Sequence, residues 1–170
     1  MKLFLVGFMG CGKTTFGKRL ASKLSYDFID MDKVFEDRAG MSIPEYFAAH
    51  GENGFRKKES EILKTTAYPE NAVIATGGGA PCFFDNMDWM NENGTTVYIN
   101  VSPKGLASRL ESATDERPVL RGLKGKELEE FIASKLEERE PFYKKALIIA
   151  EGLNISPERF LPLLDEYQRK

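Results

Sequence analysis

An α/β fold, with five parallel strands in one sheet and helices on both of its faces, is the architecture this sequence predicts. Short runs rich in Val, Ile and Phe alternate with longer stretches of helical period, the pattern that successive βαβ units leave in a chain. The first of those runs leads through a glycine-rich segment, GFMGCGKT (7–14), straight into a helical stretch. Strand, glycine loop and helix in that order are themselves an α/β signature.

The strands are expected at LFLVG (3–7), DFID (27–30), AVIAT (72–76), TVYINV (96–101) and ALIIA (146–150). Residues 14–24 put Phe16, Leu20, Ala21 and Leu24 on one helical face. SIPE (42–45) reads as a capping box with Ser42 as N-cap and Glu45 at N3. Ser-Pro at 102–103 and again at 156–157 reads as an N-cap followed by a first-turn proline. Residues 111–127, ESATDERPVLRGLKGKE, mix charge, glycine and proline without an apolar period, which predicts a mobile surface loop. No repeat, low-complexity tract or linker divides the chain, so residues 1–170 read as one domain.

The totals exclude several classes. A chain of 170 residues buries a core without disulfides or a structural metal. Its 24 Lys+Arg against 26 Asp+Glu give no chain-wide attraction to nucleic acid or to an anionic membrane. Cys11 and Cys82 stand apart from any CxxC or Cys/His cluster, which suits a reducing cytoplasm and suggests no zinc site. His50, the single histidine, reads as a helix-end residue rather than a metal ligand. LFLVGFMG is too short to span a bilayer, so neither a membrane segment nor a signal peptide is expected. Nothing demands a partner chain, and a monomer is expected.

GFMGCGKT matches GxxxxGK(S/T) in the context that gives the pattern physical meaning. Backbone N–H groups of Gly10, Cys11 and Gly12 and the helix N-terminus would wrap nucleotide phosphates, Lys13 would supply a point charge, and the Thr14 hydroxyl would bind magnesium. The loop implies a nucleoside triphosphate and leaves its use open. A GTPase switch would need an NKxD-type motif after a late strand, and none occurs; DRAG (37–40) has DxxG spacing but follows no strand.

Three features suggest an acceptor beside that nucleotide. Asp30 and Asp32 close the second strand, and i, i+2 spacing there points both carboxylates the same way, one toward the metal's waters and one toward an acceptor hydroxyl. The competing reading makes one of them a helix N-cap. VIATGGGAP (73–81) runs a buried-looking strand into Gly77, Gly78 and Gly79, where another group can come close to the backbone. Arg56 and Arg139 offer guanidinium forks for an anionic acceptor, although by spacing alone each reads more readily as a solvated helix charge.

Together the motifs GFMGCGKTT, DMD, GENGFRKKE, TGGGAP, RPVL and REPFY resemble, in order and separation, those of shikimate kinases, over residues 3 to about 160. The resemblance implies a P-loop kinase fold with a mobile lid at about 111–126 and an acceptor-binding region at about 31–63. It implies transfer of the ATP γ-phosphoryl group to the 3-hydroxyl of shikimate, with Mg²⁺. By position, Gly10 to Thr15 would hold the ATP phosphates, Thr14 the metal directly and Asp30 the metal through water. Asp32 would hold the shikimate hydroxyls, Arg56 and Arg139 its carboxylate, and Gly78 would offer its backbone to it. Arg117 of RPVL would bring positive charge to the transferring group from the lid.

The chain departs from the family pattern in places. RPVL stands where RPLL is common, and Thr76 occupies a position at which many P-loop proteins carry a carboxylate. The loop after the last strand, GLNISP (152–157), lacks the family's usual basic residue, leaving Arg109 as the candidate adenine partner. Three rival readings remain: a kinase for another polyol acid such as gluconate, a nucleoside monophosphate kinase, and a nucleotide sensor without an acceptor. The second is disfavoured because residues 31–63 show no obvious aromatic pocket for a base.

Overall fold

The computed structural model describes residues 1–112 and 122–170. In chain order the elements are β1 (Lys2–Val6), α1 (Lys13–Leu24), β2 (Asp27–Asp30), α2 (Met31–Ala39), α3 (Ile43–Thr65), β3 (Ala72–Ala75), a 3₁₀ turn (Ala80–Cys82), α4 (Asn86–Asn93), β4 (Thr95–Asn100), α5 (Pro103–Ser112), α6 (Gly125–Tyr143), β5 (Ile148–Glu151) and α7 (Pro157–Gln168). The strands form one parallel sheet in the order β2-β3-β1-β4-β5.

Strand side chains alternate between faces, and Leu3, Phe4, Leu5 and Val6 are all fully buried, so both faces of β1 are covered. On one face the Phe4 ring meets Tyr68 and Trp89 of α4 edge-on. On the other, α1 lies so close that a Cβ added to Gly17 would come within 3.1 Å of Leu5 and 2.7 Å of Phe28. Phe16 of α1 then meets Phe160 of α7 edge-on at 5.5 Å.

The expected strands exist with shifted ends. β1 stops at Val6 because Gly7, at φ 152°, turns the chain out of the strand. β3 ends at Ala75, and β4 runs one residue earlier than predicted at both ends. The last strand starts at Ile148 rather than Ala146, because the Ala146 and Lys145 amides still close the turn after α6. Leu147 donates to the Thr96 hydroxyl instead of joining the ladder. The caps are as predicted: Ser42, Ser102 and Ser156 each accept from the backbone N–H three residues on, at 3.2, 3.1 and 3.3 Å. Non-helical Gly51 kinks α3, so His50 does close a helical segment, its ring 4.2 Å from that of Tyr46.

Register positions the site. Leu5 of β1 and Asp30 of β2 both lie opposite Ala75 of β3. The segments leaving these three strands therefore emerge side by side at the carboxyl edge of the sheet, where open α/β folds bind ligands.

Candidate active site

The loop after β1 is held by its glycines and by Lys13. Gly10 and Gly12 sit at φ 81° and 98°, and a Cβ on Gly12 would strike the Arg109 guanidinium at 2.5 Å. Lys13, almost fully buried, folds its ammonium back over the loop and donates to the carbonyls of Gly7 at 2.6 Å and Phe8 at 3.1 Å. Thr14 and Thr15 stay exposed at the start of α1. They share a cleft of about 550 Å³ with Gly10, Cys11, Gly12, Lys13, Asp30, Asp32, Thr76, Gly77 and Gly78. Cys11 is only 2 % exposed, and burial pushes the Cys82 thiol up to about 11, so neither is a ready nucleophile.

The aspartate pair reaches the cleft by a route other than strand alternation. Asp30 ends β2 and is the N-cap of α2, accepting from the Asp32 N–H at 3.0 Å. Met31 and Asp32 are already helical, so the two-residue strand period stops at Asp30. Both carboxylates nevertheless line the cleft. Asp30 combines the capping role with that position, because an aspartate has lone pairs to spare. Thr76 is buried and donates to the Leu5 carbonyl at 2.8 Å, which joins β3 to β1 at the position where many P-loop proteins carry a carboxylate.

Each glycine of the triplet faces a different group of the chain itself. A Cβ on Gly77 would lie 3.0 Å from the Glu59 carboxylate and 3.3 Å from that of Asp32. On Gly78 it would lie 3.2 Å from the Met9 N–H of the phosphate loop and 3.7 Å from Arg139. On Gly79 it would overlap the Arg56 guanidinium at 2.5 to 2.8 Å. The bare backbone thus makes room for these side chains as well as for whatever they bind.

The two arginines are not on the cleft's walls; they lie against Gly79 and Gly78 beside it. Arg56 pairs with Glu59 at 2.9 Å and sits over the rings of Phe55 and Phe83. Arg139 sits 5.4 Å over the Phe8 ring. Among the described residues, the buried side-chain atoms without a hydrogen-bond partner are Arg56 Nε and Arg139 Nη1. An unpaired buried donor on a cation is costly, and an anion is the group that removes the cost.

Two site residues were not singled out in the sequence. Glu59 is visible as the i, i+3 partner of Arg56 in RKKE, a spacing that usually marks a surface pair. Here burial raises its carboxyl above the ordinary range, a shift the Arg56 charge and hydrogen bond oppose, Asp32 adds to and Arg139 opposes. Tyr143, fully buried, stacks on Tyr98 at 5.1 Å and donates to the Gly78 carbonyl, which ties the end of α6 to the glycine strip. Burial holds its hydroxyl protonated.

At the outer part of the cleft Arg109 donates to the Gly10 carbonyl at 3.3 Å and to the Asn154 side chain at 2.6 Å. The segment 31–63, where no aromatic pocket is obvious in the sequence, does hold an aromatic cluster. Phe35 meets Tyr46 edge-on at 5.1 Å and Phe55 at 5.1 Å. The space beside Phe35 and Phe55 is about 20 Å³, room for a water and not for a purine.

A family model described as shikimate kinase matches residues 9–164. The chain belongs to the shikimate kinase family. A shikimate kinase of Parabacteroides distasonis is 52 % identical over 147 residues, covering 86 % of this chain and 85 % of that one. A crystal structure of shikimate kinase from Bacteroides thetaiotaomicron superposes with a TM-score of 0.90 at 44 % identity, covering 100 % of this chain and 99 % of that one. The Acinetobacter baumannii shikimate kinase, solved in complex with shikimate, has a TM-score of 0.87 at 30 % identity, covering 99 % and 95 %.

Of the site residues expected for a shikimate kinase, the fold gathers Gly10 to Thr15, Asp30, Asp32, Arg56, Gly77 to Gly79 and Arg139 at one edge of the sheet. Arg117, and most of the expected lid at 111–126, lie outside the described residues. No described helix is long and apolar enough to cross a membrane.

Proposed function

We propose that this chain transfers the γ-phosphoryl group of ATP to the 3-hydroxyl of shikimate, giving shikimate 3-phosphate and ADP, and that residues 1–170 form one kinase domain. Membership of the shikimate kinase family supports the reaction. The observation that carries the acceptor side is the pair of buried, unpartnered N–H groups on Arg56 and Arg139, flanking a glycine strip that abuts the phosphate loop. A carboxylate accepting from both would satisfy them and anchor the acceptor within reach of the phosphates.

Lys13 would exchange the Gly7 and Phe8 carbonyls for phosphate oxygens, and the N–H groups of Gly10 to Thr15 would complete the cradle. Asp32 would orient the acceptor hydroxyl and take its proton as the new O–P bond forms and the bond from Pγ to the bridging oxygen breaks. The exposed Thr14 hydroxyl and the Asp30 carboxylate suit Mg²⁺, which takes few protein oxygens and keeps its waters, Thr14 binding directly and Asp30 through water. When bound, the ion would neutralise charge on the transferring phosphates. Arg117, in a lid at about 111–126, would add charge from above, and residues 31–63 would form the acceptor-binding region. Arg109, set by Asn154, would face the adenine. Action as a monomer in the cytoplasm suits two small polar substrates and a pair of free cysteines.

ADP release from Mg·ATP with shikimate, gluconate, AMP or water alone tests the reading. Release with shikimate only is expected; release with gluconate or AMP would reassign the acceptor. Thermal stabilisation by shikimate without nucleotide is the second expected result, and its absence would favour a nucleotide sensor.

A further inference from the structure

We infer that Phe83 is a positioning residue for the acceptor carboxylate, acting by holding the guanidinium of Arg56; the inference rests on the acceptor reading above. Arg56 Cζ lies 4.4 Å from the centroid of the Phe83 ring and 5.0 Å from that of Phe55. Glu59 engages only Nη1, at 2.9 Å, and Nε is buried without a partner. One ion pair on a long side chain leaves the guanidinium free to pivot about that contact. Against an aromatic face the planar cation has a preferred orientation.

The ring is held there by construction. The 3₁₀ turn before it is tied to α3 by the Asn86 amide, which donates to the Ala80 carbonyl at 2.8 Å and accepts from Ser60 at 2.6 Å. Ser60 follows Glu59 directly in α3. Beyond the ring, Asp85 pairs with Lys64 of the same helix. Between these two anchors Phe84 adopts φ 51°, a left-handed backbone that a bulky residue rarely takes, while its own ring is 60 % exposed. The strained residue is the exposed neighbour, and Phe83 is the one turned onto the arginine, as expected where backbone strain serves placement.

Steady-state kinetics on Phe83→Leu and Phe83→Tyr test this. Leu keeps apolar bulk without a π face and should raise the KM for shikimate about three- to tenfold, leaving kcat and the KM for ATP within about twofold. Tyr should restore the acceptor KM. An unchanged acceptor KM in Phe83→Leu, or equal rises for both substrates, would overturn the role. The Arg56 Nε–H resonance is a readout independent of turnover: loss of the ring current in Phe83→Leu should move it downfield. If the wild-type chain does not phosphorylate shikimate, the acceptor reading fails, and an unmoved resonance would then refute the Phe83 contact as well.

Discussion

Gly79→Ala separates function from folding. Gly79 has helical backbone angles, φ −90° and ψ −14°, which alanine adopts without strain. The added methyl would lie 2.5 Å from Arg56 Nη2, 2.7 Å from Nη1 and 2.8 Å from Cζ. The guanidinium must then retreat by about 1 Å to reach ordinary contact. Being the far end of a flexible side chain, it can do so, and the fold should lose little. Displacement breaks the alignment of a charge-assisted hydrogen bond to the acceptor, a loss of about 2 kcal/mol. That corresponds to about a thirtyfold rise in the KM for shikimate. Initial rates with each substrate varied, beside thermal melts without ligand, make the assay. An acceptor KM within about threefold of wild type, with the fold intact, would refute the claim that Arg56 must lie over Gly79 to bind acceptor.

Four further outcomes follow from the same geometry. Asp32→Asn should lower turnover about a hundredfold or more, and near-normal turnover in the same assay would remove it from proton transfer. Arg139→Ala should raise the KM for shikimate far more than that for ATP; equal changes would make Arg139 structural. Phe84→Gly should stabilise the fold by about 1 kcal/mol in urea unfolding, because it relieves a left-handed backbone at an exposed position; destabilisation would mean that the Phe84 ring packs usefully. The raised carboxyl of Glu59 predicts a pH trend in the same unfolding measurement. Its folded form holds a proton that the unfolded form releases, so that stability is complete below the ordinary value of 4.5 and is lost as pH rises through the raised folded value. Wild type should therefore lose stability relative to Glu59→Gln as pH rises above 4.5, and a relative gain would reverse the sign.

What the sequence disclosed was whatever its local spacing could carry. The phosphate loop is one strand, one turn and one helix start, so GFMGCGKT shows the whole device, and Ser42, Ser102 and Ser156 announce their caps within three residues. The aspartate pair was legible as to identity and not as to geometry. Strand period was the wrong ruler, since the helix begins at Met31 under an Asp30 cap. Glu59 and Tyr143 were hidden because their roles exist only where α3 and α6 meet the glycine strip across β3. An i, i+3 pair on a long helix looks the same in sequence whether water or a buried arginine pocket lies beyond it.

The glycine triplet shows why such contacts escape a linear reading. Read along the chain, three glycines suggest one ligand lying on bare backbone. In space, successive residues of the tightening turn point in different directions, toward Glu59 and Asp32, toward the phosphate loop and Arg139, and toward Arg56. In the proposed reaction a methyl at each position would therefore disturb a different part: the carboxylate assigned to the proton, the junction between acceptor and nucleotide, and the arginine assigned to the acceptor. A single ligand surface predicts three similar phenotypes, whereas this geometry predicts three distinct ones. At Gly78 the methyl would press on the backbone of the phosphate loop, and at Gly77 on two short carboxylates; only at Gly79 does it meet the far end of a long, flexible side chain, which is why Gly79 is the position at which substitution reports on binding rather than on folding.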